Sequence, residues 1–176
     1  DDFDTNVCAI SWYGLNGPYA DFNGSDASIY ALTGVMQGVG ESQGPPIIPT
    51  GYQPQIVGGL SAFNGAAGYL LGQHLKGDDK LAAFCLDASI LEANMCLTDI
   101  GAAMSFNQEP LPQRMGINRF APTYPLGIWP CKDGWLGVTV LNPAQWFAFC
   151  ELLGLDDFAA EPKYHNSMAR LEDVEI

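Results

Sequence analysis

Basic residues are scarce in this 176-residue chain: seven Lys and Arg stand against 20 Asp and Glu, a formal net charge of −13. Such a surface repels phosphate backbones, which excludes nucleic acid and anionic membrane surfaces as natural partners. Histidine is nearly absent, with only His74 and His165, so a His-rich metal site cannot be built and no metal ligands are assigned. Cysteine pairs at metal or redox spacing are missing too. Cys8, Cys85, Cys96, Cys131 and Cys150 are widely scattered without a CxxC. An odd, dispersed set of this kind predicts buried free thiols in a reducing compartment. Charged residues of either sign make up only 15% of the chain, which suggests that much of its surface is covered by further chain or by a partner subunit. Asp1-Asp2-Phe3-Asp4 offers no basic region before an apolar run, so no secretory signal is expected and a cytoplasmic location is.

A long uncharged run is present. Ile56 to Leu75 has no charged residue and carries Gly58, Gly59, Gly65, Gly68 and Gly72, a spacing that membrane helices also use. Asn64, Gln73 and His74 interrupt it and no positive flank marks one side. The expectation is a buried helix in a non-membrane protein, with a membrane-associated protein as the competing reading.

The remaining pattern is that of a mixed α/β chain. Val7 to Ser11 is a short apolar run halted by Gly14 and Gly17-Pro18, predicting a buried strand that delivers a loop at its C-terminal end. In open α/β sheets that end is where ligands sit. Ser25 or Asp26 caps a predicted helix through Val39. Glu41 to Gln55 is a Pro/Gly-rich loop, followed by the uncharged helix. Leu81 to Leu86 predicts a second buried strand, and Asp87 or Ser89 starts a helix over roughly Ile90 to Met104. Four prolines between Asn107 and Pro125 mark a linker. Beyond it, Lys132-Asp133-Gly134 joins two strands, Leu126 to Cys131 and Trp135 to Leu141. Asn142 and Pro143 start a helix that Gly154 stops after Leu153. Trp129, Trp135 and Trp146 are expected in the core of this last part.

Three segments together resemble the family III CoA-transferases. Ile10 to Tyr19 (ISWYGLNGPY) is similar to the family's strand-loop signature. Gly24 to Gly40 (GSDASIYALTGVMQGVG) is similar to its Gly-x-Asp helix, and Pro130 to Leu153 to its Asp-Gly hairpin and Trp-bearing helix. The resemblance implies the later portion of an α/β large domain, an incomplete nucleotide-type fold, over residues 1–106. A crossover linker over 107–125 and the beginning of a small α+β domain over 126–176 would follow. It implies no permanently bound cofactor, a coenzyme A thioester as substrate, and an interlocked homodimer or a tandem second half as partner. Ser11, Trp12, Tyr13 and Gly14 would lie beside the CoA cleft, where Trp12 and Tyr13 can either wall the ligand or pack into the core. Most of the cations that neutralise the CoA phosphates must then lie outside this stretch.

The resemblance also locates the chemistry. The family attacks an acyl-CoA thioester with an aspartate, passing through a mixed anhydride and an enzyme-bound thioester. That aspartate lies four residues before a Gly matched here by Gly59, which puts Gln55 at the nucleophile position. No Asp or Glu occurs between Glu41 and Asp78, so a shift in alignment supplies no substitute. A neutral amide cannot carry the anhydride, and Gln55 reads as a loop amide capping the next helix in preference to an amide that hydrogen-bonds a bound thioester. The racemase branch pairs the aspartate with a His for proton exchange. Ser25 stands at that His position, so racemisation is disfavoured. Asp26 reads as a cap, and His74 as a helix C-terminal residue in contact with the dipole.

Overall fold

A computed structural model describes residues 5–77, 83–98, 103, 105–107 and 114–174. They fall into two compact units, one within Asp1–Val39 and Pro45–Arg114, the other within Gly40–Gly44 and Met115–Ile176.

The first unit is built on two parallel strands, β1 (Val7–Ser11) and β2 (Cys85–Ser89), paired from Val7 opposite Cys85 to Ser11 opposite Ser89. The second strand starts later than the apolar run at Leu81 predicted. Its position follows from its end: Ser89 closes the strand and its Oγ accepts the Glu92 amide 3.2 Å away, capping the next helix. Leu81 and Ala82 lie outside the described residues. Neither strand is fully buried. Cys8 and Ile10 face outward on β1, which corrects the expectation of a buried strand.

Three helices accompany this pair, the second and third packed on the strands and the first packed on those two helices. Helix α1 (Asp26–Leu32) begins with a reciprocal cap, Ser25 Oγ accepting from Ser28 N at 3.2 Å and Ser28 Oγ accepting from Ser25 N at 2.9 Å. It stops seven residues earlier than predicted, because Gly34 adopts a left-handed conformation (φ 80°) and the chain continues as a 3-10 turn, Val35–Gly38. Helix α2 (Gln53–Lys76) starts three residues before the expected Ile56, with Pro54 in its first turn. Its approach to helix α3 (Ile90–Asn94) depends on Gly58, where an added Cβ would lie 2.7 Å from Ile90 Cγ1. Only Pro54, Gly58 and Ala62 of α2 are buried. Ile56, Leu60, Phe63, Leu71 and Leu75 are exposed, so the helix predicted as buried is covered on one side alone. The helix predicted from Ile90 to Met104 ends at Asn94 and continues as a 3-10 turn, Met95–Thr98; Met104 lies outside the described residues. Among the described residues, no helix is long and apolar enough to cross a membrane.

In the second unit an antiparallel hairpin pairs β3 (Leu126–Cys131) with β4 (Gly134–Thr139) around Lys132-Asp133. Helix α4 (Pro143–Leu153) follows, capped by Asn142 Oδ1 on Gln145 N at 3.0 Å and ended at Gly154. Two short helices, α5 (Asp156–Ala160) and α6 (Ser167–Glu172), complete the unit. Val140, Trp146 and Cys150 form the core, with Val138, Phe149, Leu155, Ala159 and Tyr164 around them. Arg170 is buried, lies 4.3 Å over the Trp146 ring, and donates from Nε to Tyr124 O at 2.8 Å. Trp135 is 73% exposed and leaves the core expected for it, because its face of the two-stranded ribbon has nothing packed on it. The cysteine expectation is corrected in the same way. All five are free, but only Cys150 is buried, the others lying on the outward faces and ends of the strands and on the Met95–Thr98 turn.

Candidate functional site

The first turn of α2 fixes the geometry around Gln55. Its backbone is held from α3: Asn94, 1% exposed, donates from Nδ2 to Pro54 O at 3.0 Å and to Ile90 O at 2.8 Å. Its side chain is held from α1. Gln55 Nε2 donates to Asp26 Oδ2 at 2.9 Å. An ionised carboxylate only accepts hydrogen bonds, so it orients the amide with Nε2 toward Asp26 and leaves Oε1 for other partners. Gln55 is therefore the third residue of the helix and bonds across to another helix, which corrects its reading as a loop amide with a capping role. Capping of α1 belongs to Ser25, not Asp26. Asp26 Oδ1 is buried without a hydrogen-bond partner. Burial first, and the Asp26 charge second, push the Tyr30 phenol up from its ordinary pKa.

The loop after β1 is joined to α1 by two contacts. Trp12 lies against Gly24, where an added Cβ would stand 2.3 Å from the indole Cγ. Tyr13 Oη is 2.8 Å from Ser28 Oγ. Ser11 Oγ accepts from Gly14 N at 2.9 Å, closing the turn, and Leu15 N donates to Asp87 Oδ2 at 2.8 Å. Gly14 is buried with φ 90°, a conformation that side chains resist. Trp12 and Tyr13 are thus brought to the N-terminal end of α1, Ser11 and Gly14 close the turn beside Asp87, and Asp26 carries the α1 end to Gln55. His74 sits in the last turn of α2, at the opposite end of the 24-residue helix, and takes no part. Among the described residues no group of His, Cys, Asp and Glu could hold a metal ion.

Two of these residues escaped the sequence reading. Asp26 was visible only as a helix-start residue, and Asn94 gave no signal at all, since its partners are 40 and four residues away.

The profile of CoA-transferase family III matches residues 7–175. The chain is 27% identical over 171 residues to a succinate–glutarate CoA-transferase of Agrobacterium fabrum, covering 93% of this chain and 40% of that protein. It is 26% identical over 167 residues to a succinyl-CoA:glutarate CoA-transferase of Mus musculus, covering 94% of this chain and 37% of that protein. It therefore spans about two fifths of the length of these curated relatives. Among solved structures, a CaiB/BaiF family protein from Brucella suis superposes with a TM-score of 0.71 at 22% identity, over 97% of this chain and 44% of that one. A hypothetical protein from Mycobacterium tuberculosis gives 0.72 at 19% identity, over 97% and 43%. The mixed α/β fold is that of these proteins, and the chain belongs to CoA-transferase family III.

Proposed function

We propose that this chain is part of a family III enzyme transferring CoA between an acyl-CoA and a carboxylic acid, and that its position 55 is the nucleophile seat, filled by an amide. The reading rests on the family membership and on Gln55, which stands in the first turn of α2 in a stretch without any acid from Ser42 to Gly77. A carboxylate there would attack the thioester carbon and expel CoA as the thiolate; an amide has no anionic oxygen with which to do so. This copy then forms no acyl anhydride at position 55, and the reacting aspartate comes from a homologous half or partner. Coenzyme A thioester is the substrate, no cofactor stays bound, and the Ser11–Gly14 turn borders the ligand. The names of the relatives point to small dicarboxylic acids as the acyl class.

In this reading residues 1–106 belong to the large domain, 107–125 cross over, and 126–176 begin the small domain of a cytoplasmic protein. A second reading is a non-catalytic half that completes an interlocked homodimer or tandem protein and at most binds acyl-CoA. The exposed apolar residues along α2 favour a covering partner. Calorimetry of the full-length protein with succinyl-CoA separates the two. Binding accompanied by turnover of a carboxylic acid acceptor supports the transferase and overturns the non-catalytic half; no turnover, with or without binding, supports the non-catalytic half and overturns the transferase.

A further inference from the structure

The carboxylate that touches position 55 is Asp26, and its bonding is lopsided. One oxygen accepts from Gln55 Nε2 at 2.9 Å; the other is buried with no partner. This half-buried carboxylate makes one strong side-chain contact, a charge-assisted bond to the side chain at the nucleophile seat. We propose that Asp26 is the positioning residue of that seat: it holds the position-55 side chain by its terminal atoms and sets the pH at which a carboxylate placed there ionises. The inference rests on the reading of position 55 given above and extends it to a second residue.

The physical argument is one of sign. Toward an amide, Asp26 is a matched acceptor and the pair carries one negative charge. Toward a carboxylate, the same group is a like charge. An aspartate at position 55 is one methylene shorter than glutamine, so its oxygens would stand at roughly 4–6 Å from Asp26, close enough for each charge to disfavour the other. The two would then release protons as a coupled pair, the second only at raised pH. The elements packed against α2 carry few other titratable groups: Asp26 and Tyr30 on α1, Cys8 on β1, Cys85 and Asp87 on β2, and Glu92 on α3. Of these, Asp26 alone is hydrogen-bonded to Gln55. Gln55 thus relieves a repulsion that the family nucleophile must bear in this setting.

The test uses the full-length protein carrying Gln55→Asp, with and without Asp26→Asn, and succinyl-CoA as the probe. In each, the installed carboxylate oxygen bonds to the acyl carbon, the carbon–sulfur bond breaks, and CoA leaves as thiolate; hydroxylamine nitrogen then bonds to the residue-55 side-chain acyl carbon of the anhydride, succinate leaves, and a hydroxamate remains at residue 55. The pH profile of marking should lie lower by about one pH unit or more when Asp26→Asn accompanies Gln55→Asp. A merely structural Asp26 would lower the amount of folded protein without moving the profile. Superimposable profiles overturn the proposal while leaving the reading of position 55 intact. No hydroxamate in either variant, with both folded by circular dichroism and both binding succinyl-CoA, overturns that reading and the proposal together. Because the double variant can fail to fold, thermal unfolding of Gln55→Asp alone supplies a second arm. Its stability relative to the unaltered protein should fall between acid and neutral pH as the like charges develop, and a difference independent of pH overturns the proposal.

Discussion

Gln55 Nε2 lies 2.9 Å from Asp26 Oδ2, so the Gln55 side chain is held by a carboxylate 29 residues earlier. The pair links the first turns of α1 and α2 and makes position 55 a fixed point instead of a loop residue.

Gln55→Glu tests the sign of that contact. It is nearly isosteric and places an oxygen where Nε2 now donates. Two carboxylates this close repel when both are ionised, so the repulsion is present at neutral pH and disappears in acid as they take up protons. Thermal unfolding should show Gln55→Glu less stable than the unaltered chain at pH 7, with the gap closing toward about pH 4. A gap independent of pH would contradict a like-charge cause.

Asn94→Ala removes both amide donations, to Pro54 and to Ile90, from a residue that is 1% exposed. The loss should destabilise the first unit by about 2 kcal/mol, measured by urea unfolding. A change below ~0.5 kcal/mol would mean that α2 does not depend on α3 for the setting of its first turn.

Gly24→Ala drives a methyl into the Trp12 indole, 2.3 Å from Cγ. Expected is a loss of about 1–3 kcal/mol as ring or loop shifts. Displacement of Trp12 should also show as a change in its fluorescence maximum, while Gly59→Ala, where nothing lies within 4 Å, serves as the control.

The second unit carries a separate pH signal. Lys163 Nζ bonds Asp173 Oδ2, and that hydrogen bond is the main reason that the Asp173 carboxyl is held below its ordinary pKa. A depressed folded-state pKa contributes stability that is present above the unfolded pKa and lost as pH falls through the folded one. Asp173→Asn should therefore lower the melting temperature slightly at pH 7 and not at all in strong acid. The exposed Lys163 side chain keeps the effect small.

What the sequence disclosed was local. The Ser25 cap, the Lys132-Asp133 turn, and the Asn142-Pro143 start and Gly154 stop of α4 each depend on residues within four positions of one another, and each was legible. Contacts of long sequence separation were not. Nothing in Asp26 or Gln55 announces a bond across 29 residues, and Asn94 to Pro54 spans 40. Burial was misjudged where an apolar residue lies on an element covered on one side only. Trp135 on the hairpin, Cys8 and Cys85 on the two strands, and Leu75 at the end of α2 all have the composition of core residues without the neighbours. The start of β2 was misplaced because the apolar run at Leu81 outweighed Asp87 and Ser89, whose polar groups are needed by the Gly14 turn and the α3 cap.

Reactivity at position 55 is read by covalent trapping. The full-length protein is incubated with succinyl-CoA and hydroxylamine, and the peptide containing residues 53–76 is read by mass spectrometry. This peptide should be unmodified in the unaltered protein and carry a hydroxamate in Gln55→Asp. A hydroxamate or acyl adduct on Gln55 itself would contradict it.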